Sequence, residues 1–202
     1  MTSIPSSSSD AGTYSSESSD TESSTTNYGH IADEPVHFTY QSGVLSWQSY
    51  SLKDADIIAT TRVEGSNIGH TILSLSPDSQ PFELRTTNTT LLPKEFLDRH
   101  LLESLPVYLQ PDHAIYVLIS TLSGTGLAPS FFDEVLHPLT RALGLNYVVV
   151  RTSSAESVGE FARSTLLPGA NGGKKQTVLM LSGDGGMVDT INGLLGSGEQ
   201  SR

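Results

Sequence analysis

Apolar residues along this chain change their spacing from one stretch to the next, and each spacing predicts a different kind of element. Between about Val36 and Leu84, segments such as Val36-His37-Phe38-Thr39-Tyr40, Val44-Leu45-Ser46-Trp47 and Thr71-Ile72-Leu73-Ser74-Leu75 tend to alternate apolar with polar, and Gly, Asp or Pro lie between them. A period of two puts alternate side chains on one face of a strand, so this region reads as a small antiparallel β unit. Trp47, within one of those strands, is expected in its core. From Pro93 the spacing lengthens: Phe96, Leu97, Leu101, Leu102 and Leu105 recur on one face up to Pro106, which predicts a connecting helix with Pro93 in its first turn.

The pattern then becomes β, loop, α, repeated. Ala114-Ile115-Tyr116-Val117-Leu118-Ile119 is a continuous apolar run of the kind a buried parallel strand shows. A polar loop, Ser120 to Gly126, leads from it to a helix from about Pro129 with Phe132, Val135, Leu136, Leu139 and Leu143 on one face and an expected kink at Pro138. Gly144 ends that helix. Tyr147 to Val150 then predicts a second strand, and Ala155, Val158, Phe161 and Ala162 a second helix after Thr152-Ser153-Ser154. Thr177 to Leu181 predicts a third strand, followed by Ser182-Gly183-Asp184-Gly185-Gly186 and a helix through Met187, Ile191, Leu194 and Leu195. Three such units imply a parallel sheet with right-handed crossovers, whose ligands bind beyond the carboxyl ends of the strands, where all three polar loops fall.

Composition changes this picture at the N-terminus. Up to about Glu34 the chain is rich in Ser and Thr, carries six acidic residues and no Lys or Arg, and has almost nothing apolar to offset ordering entropy, so it is expected to be disordered. Ser7 and Ser19, each with an acidic residue three positions on, suit an acid-directed protein kinase. With 22 acidic against 11 basic residues the formal charge is −11, and the one adjacent basic pair, Lys174-Lys175, solubilises a loop. Nucleic-acid binding is not expected. No apolar run reaches the roughly 18 residues of a membrane-spanning helix, and no signal peptide opens the chain, so a cytoplasmic protein without a transmembrane segment is expected, with peripheral membrane contact left open. The chain has no cysteine, which excludes thiolate chemistry, and its six histidines show no ligand-like spacing with carboxylates, so no metal site is assigned to them.

The loop Ser182-Gly183-Asp184-Gly185-Gly186 carries the most chemistry. Its glycines let backbone N–H groups approach a phosphate, and the following helix N-terminus favours negative charge. A carboxylate in such a loop repels phosphate unless it binds a cation or accepts a proton from a hydroxyl, which gives Asp184 a chemical reason to be there. A plain Asp-Gly turn accounts for the same residues.

Taken with Asp189-Thr190-Ile191-Asn192-Gly193-Leu194, this loop resembles the signature of diacylglycerol and sphingosine kinases, S/G-G-D-G-x-x-x-E-V-x-N-G-L. Ser120-Thr121-Leu122-Ser123-Gly124 is similar to the family's N-P-x-S-G, and Thr152 to the threonine ending its second strand. The resemblance covers about Ile115 to Leu195. It implies an ATP- and Mg2+-dependent transfer of the γ-phosphoryl group to a lipid hydroxyl, of a sphingoid base or a diacylglycerol, with Asp184 as general base. It also implies a nucleotide site made of Ser120, Thr121, Leu122, Ser123, Gly124, Thr152, Ser182, Gly183, Gly185 and Asp189. Ser120-Thr121 stands where Asn-Pro is usual, Asp189 where Glu is usual, and Gly186 where Thr or Leu is more common. The lipid-binding β lobe that follows this lobe in the family has no counterpart before Arg202, so the chain by itself is expected to transfer phosphate poorly or not at all.

The expected fold is therefore α/β. Residues 1–34 form a disordered tail, 35–110 a small β-rich leader with a connecting helix, and 111–202 a parallel-sheet nucleotide-binding lobe of the NAD kinase and diacylglycerol kinase type. A NAD kinase or phosphofructokinase-like enzyme also places G-G-D-G after a parallel strand, but the continuation through Asn192-Gly193-Leu194 argues against it. A non-catalytic remnant or regulatory fragment of a lipid kinase fits the altered first loop. A Rossmann dehydrogenase fits poorly, because Gly124-Thr125-Gly126 lacks its third glycine.

Overall fold

The computed structural model describes residues 25–63, 69–76, 82–121 and 126–196. They form two antiparallel sheets and one parallel sheet with helices on both of its faces.

Four strands, β1 (Thr25–Ile31), β2 (Glu34–Gln41), β3 (Val44–Trp47) and β4 (Tyr50–Lys53), run as an antiparallel meander in the order β1-β2-β3-β4. Two-residue turns join them. In the turns Ala32-Asp33 and Ser42-Gly43 both residues have positive φ, the primed geometry whose twist matches that of the flanking strands. A second meander, β5 (Ile57–Val63), β6 (Gly69–Ser76) and β7 (Glu83–Thr89), lies against the first, and helix α1 (Lys94–His100) closes the unit. The period of two expected along β2 is realised, because Val36, Phe38 and Tyr40 are buried and their neighbours are more exposed. They pack with Leu45, Trp47, Ile72, Leu92 and Phe96 in a single core, so Trp47 is a core residue as expected.

Two expectations for this region change. The stretch read as a disordered tail through Glu34 is ordered from Thr25, because β1 pairs with β2 along its whole length, from Thr25 against Tyr40 to Ile31 against Glu34. Backbone bonding orders it, and composition does not report that. Asn27 Nδ2 donates to the Leu92 carbonyl at 3.1 Å, and a Cβ at Gly29 would lie 2.7 Å from the Leu91 carbonyl oxygen. Residues 1–24, including Ser7 and Ser19, lie outside the described residues. The connecting helix is also shorter than the leucine spacing suggests. Leu101 turns extended, bridges to Thr60, and the Leu102 N–H donates to the Thr60 carbonyl at 2.7 Å, so a strand edge takes the bonds that would have continued the helix.

The parallel sheet follows, in the order β10-β8-β9. Strand β8 (Ala114–Ser120) leads to α2 (Ala128–Phe131), a π segment (Phe132–Leu136) and α3 (His137–Ala142). Strand β9 (Val148–Thr152) leads to α4 (Ala155–Phe161), a second π segment (Ala162–Leu166) and α5 (Leu167–Asn171). Strand β10 (Gln176–Leu181) leads to α6 (Asp184–Leu195). Pro138 and Pro168 each stand just past a π segment. A proline ring collides with the carbonyl four residues back and lacks an N–H, and a widened turn removes both conflicts, so the helix runs on past Pro138 through a π segment.

Val117 and Ile119 pack with Phe132, Ala128 and Leu136 on one face of the sheet, while Tyr116, pointing the other way, meets Phe161 of α4 edge to face. Helix α6 lies on α4. At Gly193 an added Cβ would come 2.6 Å from the Ala162 Cβ and 2.8 Å from the Gly159 carbonyl oxygen, so this glycine sets how closely the two helices approach. Gly193→Ala should therefore lower stability by about 1–3 kcal/mol, although Ala is the better helix former. Denaturant unfolding checks it, and an unchanged midpoint would mean that the helices separate without cost.

Candidate functional site

The chain leaving β8 goes to one face of the sheet, and the chains leaving β9 and β10 go to the other. Such a divergence opens a crevice at the carboxyl edge of an α/β sheet. Ser120 sits there opposite Thr152 in the β8–β9 ladder. The Thr121 backbone N–H donates to the Thr152 carbonyl at 2.9 Å, and its hydroxyl donates to the same oxygen at 3.1 Å. The Thr152 side chain is buried and its hydroxyl reaches back to the Ile119 carbonyl at 3.5 Å. Ser120, Thr121 and Thr152 thus come together as a stitch between two strand ends, with Ser120 and Thr121 nearer the surface. Leu122, Ser123 and Gly124 lie outside the described residues.

At the end of β10 the helix begins earlier than its apolar spacing suggests. Gly183 is the N-cap and Asp184 the first helical residue, so Gly185 and Gly186 belong to the first turn of α6 and not to a loop. The Gly186 N–H donates to the Gly183 carbonyl at 3.1 Å. An acidic side chain at the start of a helix is favoured by the helix dipole, which helps a run containing poor helix formers to begin there. Asp184 is exposed.

The glycines of this turn have different causes. A Cβ at Gly186 would overlap the Ser182 hydroxyl, which itself donates to the Gly183 carbonyl at 3.1 Å. Ser182 therefore fills the space that a larger residue at 186 would take. At Gly183 and Gly185 an added Cβ would meet nothing within 4 Å, and neither residue has positive φ. Nothing in the folded chain requires glycine at these two positions. Asp189 is half-buried further along α6. Five residues of helix place it about 7.5 Å along the axis and about 140° around it from Asp184, so the two carboxylates do not share a face.

Among the described residues no group of three or more His, Asp or Glu could hold a metal ion. Mg2+ beside a nucleotide needs no such cage, since it takes one or two carboxylates together with phosphate oxygens and water.

The densest constellation of charge lies elsewhere, and sequence spacing does not reveal it. Asp54 accepts from the Tyr40 hydroxyl at 2.9 Å, pairs with Arg99 Nη1 at 3.1 Å and meets His100 Nε2 at 2.8 Å. Burial opposes its charge, but the bonds from His100 and Tyr40 outweigh burial and hold the carboxyl below the usual carboxylate range. With both oxygens engaged, Asp54 ties α1 to the first sheet. The partners are 14 and 46 residues away for Tyr40 and His100, beyond the reach of any local motif.

No family model matches the chain, and neither a curated protein nor a solved structure matches it. Among the described residues no helix is long and apolar enough to cross a membrane.

Because the Asp54 pKa is depressed in the folded state, its contribution to stability is full above the unfolded value of about 3.9 and is lost as pH falls through the folded value. Unfolding midpoints should fall on acidification below pH about 4, and Asp54→Ala should cost about 2–3 kcal/mol at pH 7 and flatten that acid limb. Denaturant titrations at several pH values read both effects; an unaltered acid limb in the variant would remove Asp54 from the account.

Proposed function

We propose that the parallel-sheet unit is the nucleotide-binding part of an ATP-dependent lipid kinase. The observation that carries this reading is the start of α6, where Gly183 and Gly185 stand without a conformational or packing reason beneath open space. There no side chain caps the helix, and the Asp184 and Gly185 N–H groups precede the first helical bond, from Gly186 to Gly183. Phosphate oxygens are natural acceptors for those groups, and a side chain at either position would hold them away. The similarity of Ser182 to Leu194 to the diacylglycerol and sphingosine kinase signature supports the same occupant.

In this reading Asp184 stands beside the γ-phosphate. The acceptor hydroxyl oxygen of a sphingoid base or diacylglycerol forms a bond to the γ-phosphorus, the bond from that phosphorus to the β–γ bridging oxygen breaks, and ADP leaves. Asp184 takes the hydroxyl proton. Mg2+, when bound, neutralises charge on the phosphate oxygens. Most of the acceleration in such transfers comes from positioning and charge compensation, which suits a site made of backbone donors and one carboxylate. Ser120 and Thr121 border the same crevice from β8, and the Thr121 bonds to Thr152 fix where the first loop departs. Asp189, on another face of α6, is assigned a place at the nucleotide's periphery.

Gly185→Val should weaken Mg-ATP binding by about tenfold or more, equivalent to at least 1.4 kcal/mol, measured by calorimetry on the chain. Asp184→Asn should leave nucleotide bound but abolish transfer of labelled phosphate to sphingosine and diacylglycerol, assayed with the chain alone and joined to any sequence encoded downstream. Nucleotide binding without transfer in either form would select the non-catalytic relative, and no binding would remove the nucleotide site.

A further inference from the structure

The antiparallel unit contains a cleft of about 770 Å³ between its two sheets, remote in sequence from the crevice discussed above. Its volume lies within the usual range for small-molecule sites, which favour the mouths of β structures with an apolar interior and a few polar groups. Its apolar side includes Val36 and Trp47, both buried members of the core. Tyr50 extends that surface outward, stacked on Trp47 with ring centroids 5.9 Å apart and an interplanar angle of 22°, and is itself 61% exposed.

The opposite wall carries polar groups where an apolar one is expected. Ser74 is 1% exposed and lines the cleft. Arg85 is its direct cross-strand partner in the β6–β7 ladder, and residues so paired project from the same face of a sheet. The guanidinium therefore leaves the sheet on the side of that buried hydroxyl. Its ion pair, to exposed Glu83, spans 3.8 Å, too long for a hydrogen bond. A hydroxyl beside a guanidinium held only by a long ion pair makes a donor-bearing corner, and it opens onto an aromatic and aliphatic wall.

We propose that this cleft binds a single-chain amphiphile with an anionic headgroup, the carboxylate or phosphate on Arg85 and Ser74 and the chain along Val36, Trp47 and Tyr50. The charge of Arg85 selects an anion, and the planar fork of its guanidinium suits both headgroups. Glu34 on the facing sheet also borders the cleft and disfavours a headgroup that extends beyond the Arg85 corner. The proposal stands independently of nucleotide binding at α6.

Trp47 is the only tryptophan of the chain, so its emission reports on the cleft directly. The full chain is titrated with lysophosphatidic acid, with a fatty acid and with an uncharged monoacylglycerol of the same chain length, all below their aggregation concentrations. The expected result is a saturable change in Trp47 emission with at least one anionic amphiphile, about tenfold tighter than with the monoacylglycerol. Arg85→Gln should abolish that preference, and Tyr50→Ala should weaken charged and uncharged ligands alike. Tighter binding of lysophosphatidic acid identifies phosphate as the preferred headgroup, and tighter binding of the fatty acid identifies carboxylate. Arg85 is exposed, and circular dichroism of the variant checks that it folds. Absence of saturable binding, equal affinity for charged and uncharged amphiphiles, or a preference unchanged in Arg85→Gln overturns the proposal.

Discussion

A central parallel strand has both of its faces to bury, and β8 bears that constraint for half of this molecule. Ile115, Val117, Leu118 and Ile119 are all buried, which requires helices on both sides of a sheet only three strands wide. The chain meets the requirement by sending the helix after β8 to one face and the helices after β9 and β10 to the other. The same choice sets the three strand-to-helix connections at the carboxyl edge of the sheet. Polar residues collect there because the covering helices start from that edge and do not cross it.

The antiparallel unit solves its packing differently. Alternate residues of β2 meet Ile72 and Phe96 in a core that needs no covering layer beyond the second sheet and α1. What fixes α1 is a carboxylate: Asp54 gathers donors from a strand and from the end of the helix, and its charge survives burial because those donors outweigh the loss of water. The two units touch where Phe82 meets Phe131 edge to face, with centroids 6.3 Å apart, so the helix that follows the first polar loop also seats the β unit.

Glycine is the residue whose meaning the tertiary structure sorts most sharply. Gly29 lets β1 pass close to the Leu91 carbonyl, Gly193 lets α6 approach α4, and Gly186 yields its space to Ser182. In the kinase-like signature, then, the glycine of Asn192-Gly193-Leu194 is a packing residue. Gly183 and Gly185 are left with neither a positive φ nor a close neighbour to explain them. That asymmetry directs attention to the start of α6 more specifically than a count of glycines in a motif.

Strands β2, β3 and β6 were legible from apolar alternation, β8, β9 and β10 from continuous apolar runs, and the helical faces of Phe132, Val135 and Val158 from their spacing. The three βα units followed from the same local reading. Strand β1 was not legible, since its order comes from backbone pairing with β2 in a stretch with little to bury. The early end of α1 depends on a carbonyl of β5, and the early start of α6 on an N-cap geometry that apolar spacing does not record. Asp54 with His100, and Ser74 with Arg85, are invisible to any local reading. Local periodicity determined which segments become strands and helices. Tertiary structure alone decided which polar groups meet, because hydrogen-bond and charge partners are chosen by distance in space and not by separation along the chain.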